Sequence, residues 1–309
     1  MSLDIVVVGS LNIDMVVNIN KLPKWGETLL GNDFFISHGG KGGNQAYAAS
    51  KLGASVAMIG RVGDDLFADQ LLNGLKEAGV NTSSVGRTPE AATGVALINV
   101  NDEGENNIIV APGANSYVTP KYVREHEDVI REAKIVMVQL EIPLETVLEV
   151  ARIAKKYDVP LILDPAPARI LPNELYEMVT YIVPNETELS EITGLPITDA
   201  RSARMASVDL LGKGVHTVFS KLGGKGVVVT SANRTFTIDG YNVSAVDTTA
   251  AGDAFAGALA TAIVSGQDLW SAAQFANAVG ALTVTKPGAQ RSMPDMDEAQ
   301  QFIKRFSQQ

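Results

Sequence analysis

The stretch IVMVQLEIPLETVLEVARIAKKYDVPLILDPAP, residues 135–167, decides the fold class. It opens with the apolar run IVMVQL, passes through a helical pattern over 144–156, and returns to a second apolar run in PLILDPAP. Short, unbroken apolar runs of this kind suit strands buried on both faces of a parallel sheet. The alternation continues on either side. A helix over 121–131 leads into it, a short helix near 172–177 leads to YIVPNETE, and a helix over 199–211 leads to HTVFSKLG. Strands alternating with helices of this length predict a mostly parallel central sheet covered on both sides.

Further out, IVVVG at 5–9 reads as a first buried strand. A helix is expected from Asn44 to about Leu52, then a strand in SVAMIGRVGDD and a helix over 65–78. Three more helices are expected at about 252–264, 270–282 and 296–306, preceded by a hairpin-like piece, GVVVTSANRTFTI. Two regions interrupt the α/β rhythm. Residues 12–37 read as short strands and loops, and 93–110 as a hairpin around the turn sequence NDEG. They are expected to form a small β-sheet attached as a lid to a single domain spanning 1–309.

Composition narrows the functions. The chain has 309 residues, a formal net charge of -10 and no basic stripe, which argues against nucleic-acid binding. Small anions remain possible ligands, because backbone N–H groups bind phosphate even in an acidic protein. The absence of cysteine excludes disulfides, thiolate chemistry and zinc–sulfur sites. His38, His126 and His216 are far apart and form no HExxH pattern. MSLDIVVVGS lacks a basic leader region, and no apolar run reaches 18 residues, so a cytoplasmic protein without a membrane span is expected.

Three loops are candidates for cradling phosphate or sugar. HGGKGGNQA fails the P-loop pattern, since Lys41 is followed by Gly42 rather than Ser or Thr. It reads equally as a ligand loop or as tight helix–sheet packing. GSLNID follows the first strand but is not GxGxxG, which counts against a nicotinamide enzyme. Asn12 and Asp14 lie two apart, so both face one way on an extended segment and either grip hydroxyls or form a polar turn. The third is DTTAAGDAFAGAL, residues 247–259. Ala250, Ala251 and Gly252 lie where a helix begins, leaving its first N–H groups open to an anion. Asp253 in that first turn either offsets the helix dipole or acts as a general base on an alcohol.

The chain resembles the ribokinase-like carbohydrate and purine kinase family over nearly its whole length. GSLNIDMV, GGKGGNQAYAASKLG, GRVGDD, QLEIPLETV, DPAPAR, VPNETE, DTTAAGDAFAGAL and TKPGAQRSMP carry the likeness, in that order. The resemblance implies a three-layer α/β/α sandwich with a small β-sheet lid. It also implies transfer of the γ-phosphoryl of ATP to the 5-hydroxyl of D-ribose. On it, Asn12, Asp14, Gly40, Lys41, Asn44 and Glu141 hold the sugar, and Asp253 is the general base. The N–H groups of Ala250, Ala251, Gly252 and Asp253 form the anion hole.

The same resemblance places Asn185, Lys221, Gly223, Gly252 and Asn277 at the nucleotide, and Glu188 at water-bound Mg²⁺. Asn185 and Glu188 also fit an N-cap and its N3 partner. Asp247, with Thr249, Gly288 in the 283–288 loop and Ser292, would ligate a monovalent cation, usually K⁺. A homodimer through the lids is implied as well. Three departures stand out: Lys221 where threonine is often found, Ala254 where Thr or Ser commonly follows the aspartate, and Pro287 in the cation loop. Related kinases of deoxyribose, fructose or a nucleoside are the alternative, and a non-catalytic sugar sensor ranks below them.

Overall fold

Strand β1 (Ile5–Val8) shows why its run of β-branched residues is unbroken. Ile5 and Val7 enter one hydrophobic core, while Val6 and Val8 enter a second on the opposite face of the sheet. All four side chains are fully buried, so alternation of polar and apolar residues has no place here. The computed structural model describes residues 3–101, 103 and 106–306.

After β1 come β2 (Asn12–Asn18), β3 (Phe34–Gly39), α1 (Lys41–Lys51), β4 (Val56–Gly63), α2 (Leu66–Glu77) and β5 (Asn81–Thr88). Then follow β6 (Gly94–Val100), β7 (Asn106–Ala111), α3 (Pro120–Glu125), α4 (Glu127–Arg131), β8 (Ile135–Val138), α5 (Leu144–Lys156), β9 (Leu161–Leu163), α6 (Asn173–Tyr176) and β10 (Tyr181–Ile182). The chain continues through α7 (Glu186–Thr193), α8 (Ala200–Gly212), β11 (Thr217–Lys221), β12 (Gly226–Ser231) and β13 (Thr235–Asp239). It closes with α9 (Ala251–Val264), α10 (Leu269–Thr283) and α11 (Met296–Phe306).

The nine-stranded sheet runs β13-β12-β11-β10-β9-β8-β1-β4-β5, parallel from β11 to β5 and antiparallel at β12 and β13. Helices α1, α2, α9 and α10 cover one face, and α3, α5, α7 and α8 the other, which is the expected α/β/α arrangement. A second sheet, β3-β2-β6-β7, pairs β2 with β6 in parallel and closes with antiparallel neighbours. The turn expected at NDEG lies partly outside the described residues.

Three local expectations need correction. The helix expected from Asn44 begins at Lys41, for a reason given below. The single helix expected over 121–131 is broken at His126. There the ring Nδ1 lies 2.9 Å from the Tyr122 carbonyl, the acceptor that a continuous helix would offer to the His126 N–H. Strand β5 was not foreseen; its sequence NTSSVGRT is polar because it forms the sheet edge.

Close packing of α1 on α9 positions the site. A Cβ on Gly257 would stand 2.8 Å from Ala48 Cβ and 2.9 Å from the Gln45 carbonyl, so only glycine permits this approach. The contact brings the N-terminal turns of both helices together.

Candidate active site at two helix N-termini

Helix α9 supplies the first part of the site. Its N-cap, Ala250, has φ 58° and ψ 9° and gives no side-chain cap. Left-handed backbone costs an alanine roughly 1 kcal/mol, and strain of this kind concentrates at functional sites. The Ala251 N–H reaches the Thr248 carbonyl at 3.4 Å, so it is partly engaged rather than open. Among the described residues, the N–H groups of Ala250, Gly252 and Asp253 find no acceptor. The Lys221 ammonium lies 3.3 Å from where a Cβ on Gly252 would stand, which adds a full charge to that helix end.

Asp253 is buried in the first turn. Its Oδ2 accepts from Asn44 Nδ2 at 3.0 Å, and its Oδ1 accepts from Gln45 Nε2 at 3.2 Å. Lys41 Nζ stands 3.9 Å from Asp253 Oδ1 and 4.0 Å from Asp164 Oδ2. Burial raises the Asp253 pKa above the usual carboxylate value; Lys41 opposes this, and Asp164 adds to it. For Lys41 burial acts to lower the pKa, but the carboxylates of Asp253, Asp164, Glu141 and Glu188 outweigh it and hold the ammonium charged.

The residues expected to hold sugar converge beside Asp253. Glu141 Oε2 accepts from the Lys41 N–H at 3.0 Å and from the Ser10 hydroxyl. This carboxylate caps α1, which is why the helix starts at Lys41 right after Gly40. The glycine loop thus binds an anion, but the anion is the chain's own Glu141. Among the described residues Glu141 Oε1 has no hydrogen-bond partner and remains available. Asn12 Oδ1 accepts from Asn115 Nδ2 at 2.7 Å, leaving its amide hydrogens for a ligand. The Asp14 pKa is pushed up to about 7 by burial first, then by Glu141 and Asp253. Asn44 is steadied in turn by Gln290 Nε2, 3.2 Å from its Oδ1.

A cavity of about 450 Å³ opens on the other side of Lys41 and Asp253. Asn185, Glu188, Lys221, Gly223, Gly252 and Asn277 line it with them. Asn185 and Glu188 form a complete capping box: Glu188 N–H donates to Asn185 Oδ1, and Asn185 N–H donates to Glu188 Oε2, both at 2.8 Å. Burial raises the Glu188 pKa, Lys221 lowers it and Asp164 raises it, with burial prevailing. Asn277 Nδ2 is held by the Asp239 carbonyl at 2.9 Å.

Asp247 ties two loops together. Its Oδ1 accepts from the Thr249 N–H at 2.9 Å and its Oδ2 from the Gly288 N–H at 2.8 Å. Burial would raise its pKa, but these hydrogen bonds win and hold it below the usual range. Ser292 is buried, and its hydroxyl donates to the Ala289 carbonyl at 2.7 Å.

Sequence reasoning missed Asp164. It is buried between Lys41 and Lys221, the latter at 3.5 Å, and accepts from Gln45. The available signal was its place just beyond a buried parallel strand, where ligand sites of such sheets gather. Ser10, Gln45 and Asn115 were missed as well. They are uncharged, and their partners lie about a hundred residues or more away.

Comparison with known proteins agrees with this geometry. The description pfkB family carbohydrate kinase matches residues 2–296. The chain is 41% identical to the ribokinase of Haemophilus influenzae over 297 residues, covering 96% of this chain and 97% of that protein. It is 36% identical to the deoxyribokinase of Salmonella typhi over 302 residues, covering 97% and 99%. Its structure matches that of Arabidopsis thaliana ribokinase complexed with ribose and ATP with a TM-score of 0.93 at 35% identity, covering 98% and 99% of the two chains. A buried aspartate at a helix N-terminus, between a polar cluster and a cavity of about 450 Å³, sits on a chain that matches along nearly its full length: the protein belongs to the pfkB family of carbohydrate kinases.

Proposed function

We propose that the protein transfers the γ-phosphoryl group of ATP to the 5-hydroxyl of D-ribose, giving D-ribose 5-phosphate and ADP. The observation that carries this reading is the position of Asp253. It is bonded to Asn44 on the sugar side, and it lines the cavity that holds Lys221, Asn185 and Glu188.

In this reading Asn12, Asp14, Gly40, Lys41, Asn44 and Glu141 fix the sugar. Asp253 accepts the hydroxyl proton as the oxygen attacks phosphorus and the bond to the β–γ bridging oxygen breaks. Charge on the transferring group falls on the N–H groups of Ala250, Gly252 and Asp253, with Ala251 turning from Thr248, and on Lys221. Asn185, Gly223 and Asn277 hold the nucleotide.

A divalent ion, Mg²⁺, fits the site only as a hydrated partner of the phosphates. Both Glu188 oxygens already accept from Asn185, and among the described residues no three acidic or histidine side chains converge as a metal cage. When bound, it neutralises phosphate charge. A monovalent ion, K⁺, fits beside Asp247, with the carbonyls of Thr249 and the loop ending at Gly288, and Ser292 nearby in sequence. The ionised Asp247 and its two N–H bonds support a site that orders the anion-hole loop.

The second sheet serves as a lid and a dimer surface in this reading. Pairing aligns Ile36, Met15, Leu97 and Ile109 across four strands, and Ile36, Leu97 and Ile109 are exposed. An apolar row of this kind is suited to packing against a second copy. No described helix is long and apolar enough to cross a membrane.

The relative named deoxyribokinase makes 2-deoxyribose the second substrate to consider. The deciding assay is ADP release from Mg·ATP with D-ribose, 2-deoxyribose, fructose, adenosine or no sugar, in K⁺ or Na⁺. Ribose-dependent release well above the others supports the reading. Preference for another substrate overturns the sugar assignment, and silence with all of them overturns the kinase assignment.

A further inference from the structure

Gln45 is fully buried on α1, and neither the sugar contacts nor the phosphate contacts described above use it. Its Nε2 donates to two carboxylates, Asp164 Oδ2 at 2.9 Å and Asp253 Oδ1 at 3.2 Å. Its Oε1 accepts from Gln139 Nε2 at 2.7 Å. Gln139 is fully buried too, and its own Oε1 has no hydrogen-bond partner. A Cβ on Gly9 would stand 2.1 Å from that oxygen, so the backbone there is stripped bare to admit it.

The orphaned oxygen has a physical cause. Turning the Gln139 amide over would set its oxygen against the Gln45 oxygen. Turning both would set the Gln45 oxygen against two carboxylates, which cannot donate when ionised. The carboxylates therefore dictate the direction of both amides, and the unpaired oxygen is what remains at the far end.

We propose that Gln45, oriented by Gln139, is a positioning residue for phosphoryl transfer: it holds Asp253 ready to accept the sugar proton and separates it from Asp164. The proposal rests on Asp253 being the general base. Without the bridging amide, the buried Asp253 faces the Asp164 charge with one donor fewer and favours its protonated form, which accepts no proton. The charged groups facing Asp253 are Lys41 on α1, Asp14 on β2, Glu141 beyond β8 and Asp164 beyond β9. Glu188 and Lys221 act on Asp164 from α7 and β11. Of these only Lys41 and Lys221 are positive, and of the two amides that donate to Asp253, Asn44 and Gln45, Gln45 alone also holds Asp164.

The test compares Gln45→Met, Gln139→Met, the double variant and Asp253→Asn in one kinetic series with D-ribose, Mg·ATP and a range of pH. Gln45→Met is expected to lower kcat about 10- to 100-fold, with the sugar KM within about threefold, and to move the acidic limb of kcat to higher pH. Gln139→Met should do the same more weakly, and the double variant should be no worse than Gln45→Met. Unchanged kcat and an unmoved limb in the folded single variants, beside an inactive Asp253→Asn, overturn the proposal while leaving the base in place. Turnover retained by Asp253→Asn overturns the general-base reading first. If Gln45→Met does not fold, Gln139→Met decides: a moved limb supports the proposal and an unmoved one overturns it.

Discussion

Asn44 and Asp253 are joined by a 3.0 Å hydrogen bond across 209 residues of sequence. The bond links the first turns of two helices, one capped by the chain's own Glu141 and the other without a side-chain cap. It makes the proposed sugar side and phosphate side of the site one unit.

Removal of the base should separate binding from turnover. Asp253→Asn keeps the size of the side chain and loses the proton acceptor. We expect kcat to fall by about 10²- to 10⁴-fold, with D-ribose affinity by calorimetry changed much less. Near-normal kcat would remove Asp253 from the mechanism.

Lys221 should act on ATP and not on sugar. Its ammonium stands beside Gly252 and 3.5 Å from Asp164. Lys221→Met is expected to lower kcat/KM for ATP about 10- to 100-fold while leaving D-ribose affinity nearly unchanged. Lys221→Thr, which restores the residue type often found there, should recover part of the loss. An equal effect on sugar and nucleotide would argue for a structural role instead.

Asp14 should make the stability of the fold fall as pH rises. Its pKa rises from 3.8 to about 7 on folding, because burial and neighbouring carboxylates disfavour the charge. Below 3.8 both states are protonated and the group contributes nothing. Above that, the unfolded chain has released a proton that the folded chain keeps, so rising pH destabilises the fold up to the folded pKa, by about 4 kcal/mol at most. Asp14→Asn should therefore raise the melting temperature more at pH 8 than at pH 4.5, and impair sugar binding at both. Equal gains in melting temperature at the two pH values would contradict the assignment.

Asp247 should control the response to monovalent ions. Asp247→Ala removes the carboxylate that accepts from Thr249 and Gly288. The variant is expected to show the same low rate in K⁺ and Na⁺. Retained activation by K⁺ would place the ion elsewhere.

Ile109→Asp should break the proposed dimer. Ile109 is 59% exposed and pairs with Leu97 in the apolar row of the second sheet. Light scattering after size exclusion is expected to show a shift from dimer to monomer. An unchanged mass would remove this face from the interface.

What the sequence revealed depended on how local the cause was. The buried strands were plain, because Ile5–Val8 feeds two cores at once. The capping pair Asn185 and Glu188 was plain for the same reason, its two members being three residues apart. Strand β5 was hidden, since an edge strand needs few apolar residues. The start of α1 was hidden too, because its cap is a carboxylate 100 residues further on. Asp164 is one residue among six in DPAPAR by sequence, and only the sheet places it between two lysines.

The position of β1 has a consequence for synthesis. Strand β1 is translated before both of its neighbours, yet it is not an edge; it ends between β4 and β8. Its pairing with β4 needs only residues through Ile59, but its other side stays open until Val138 has been made. During that interval the nascent chain carries an unpaired apolar strand edge, a hazard for aggregation that only translation through Val138 removes.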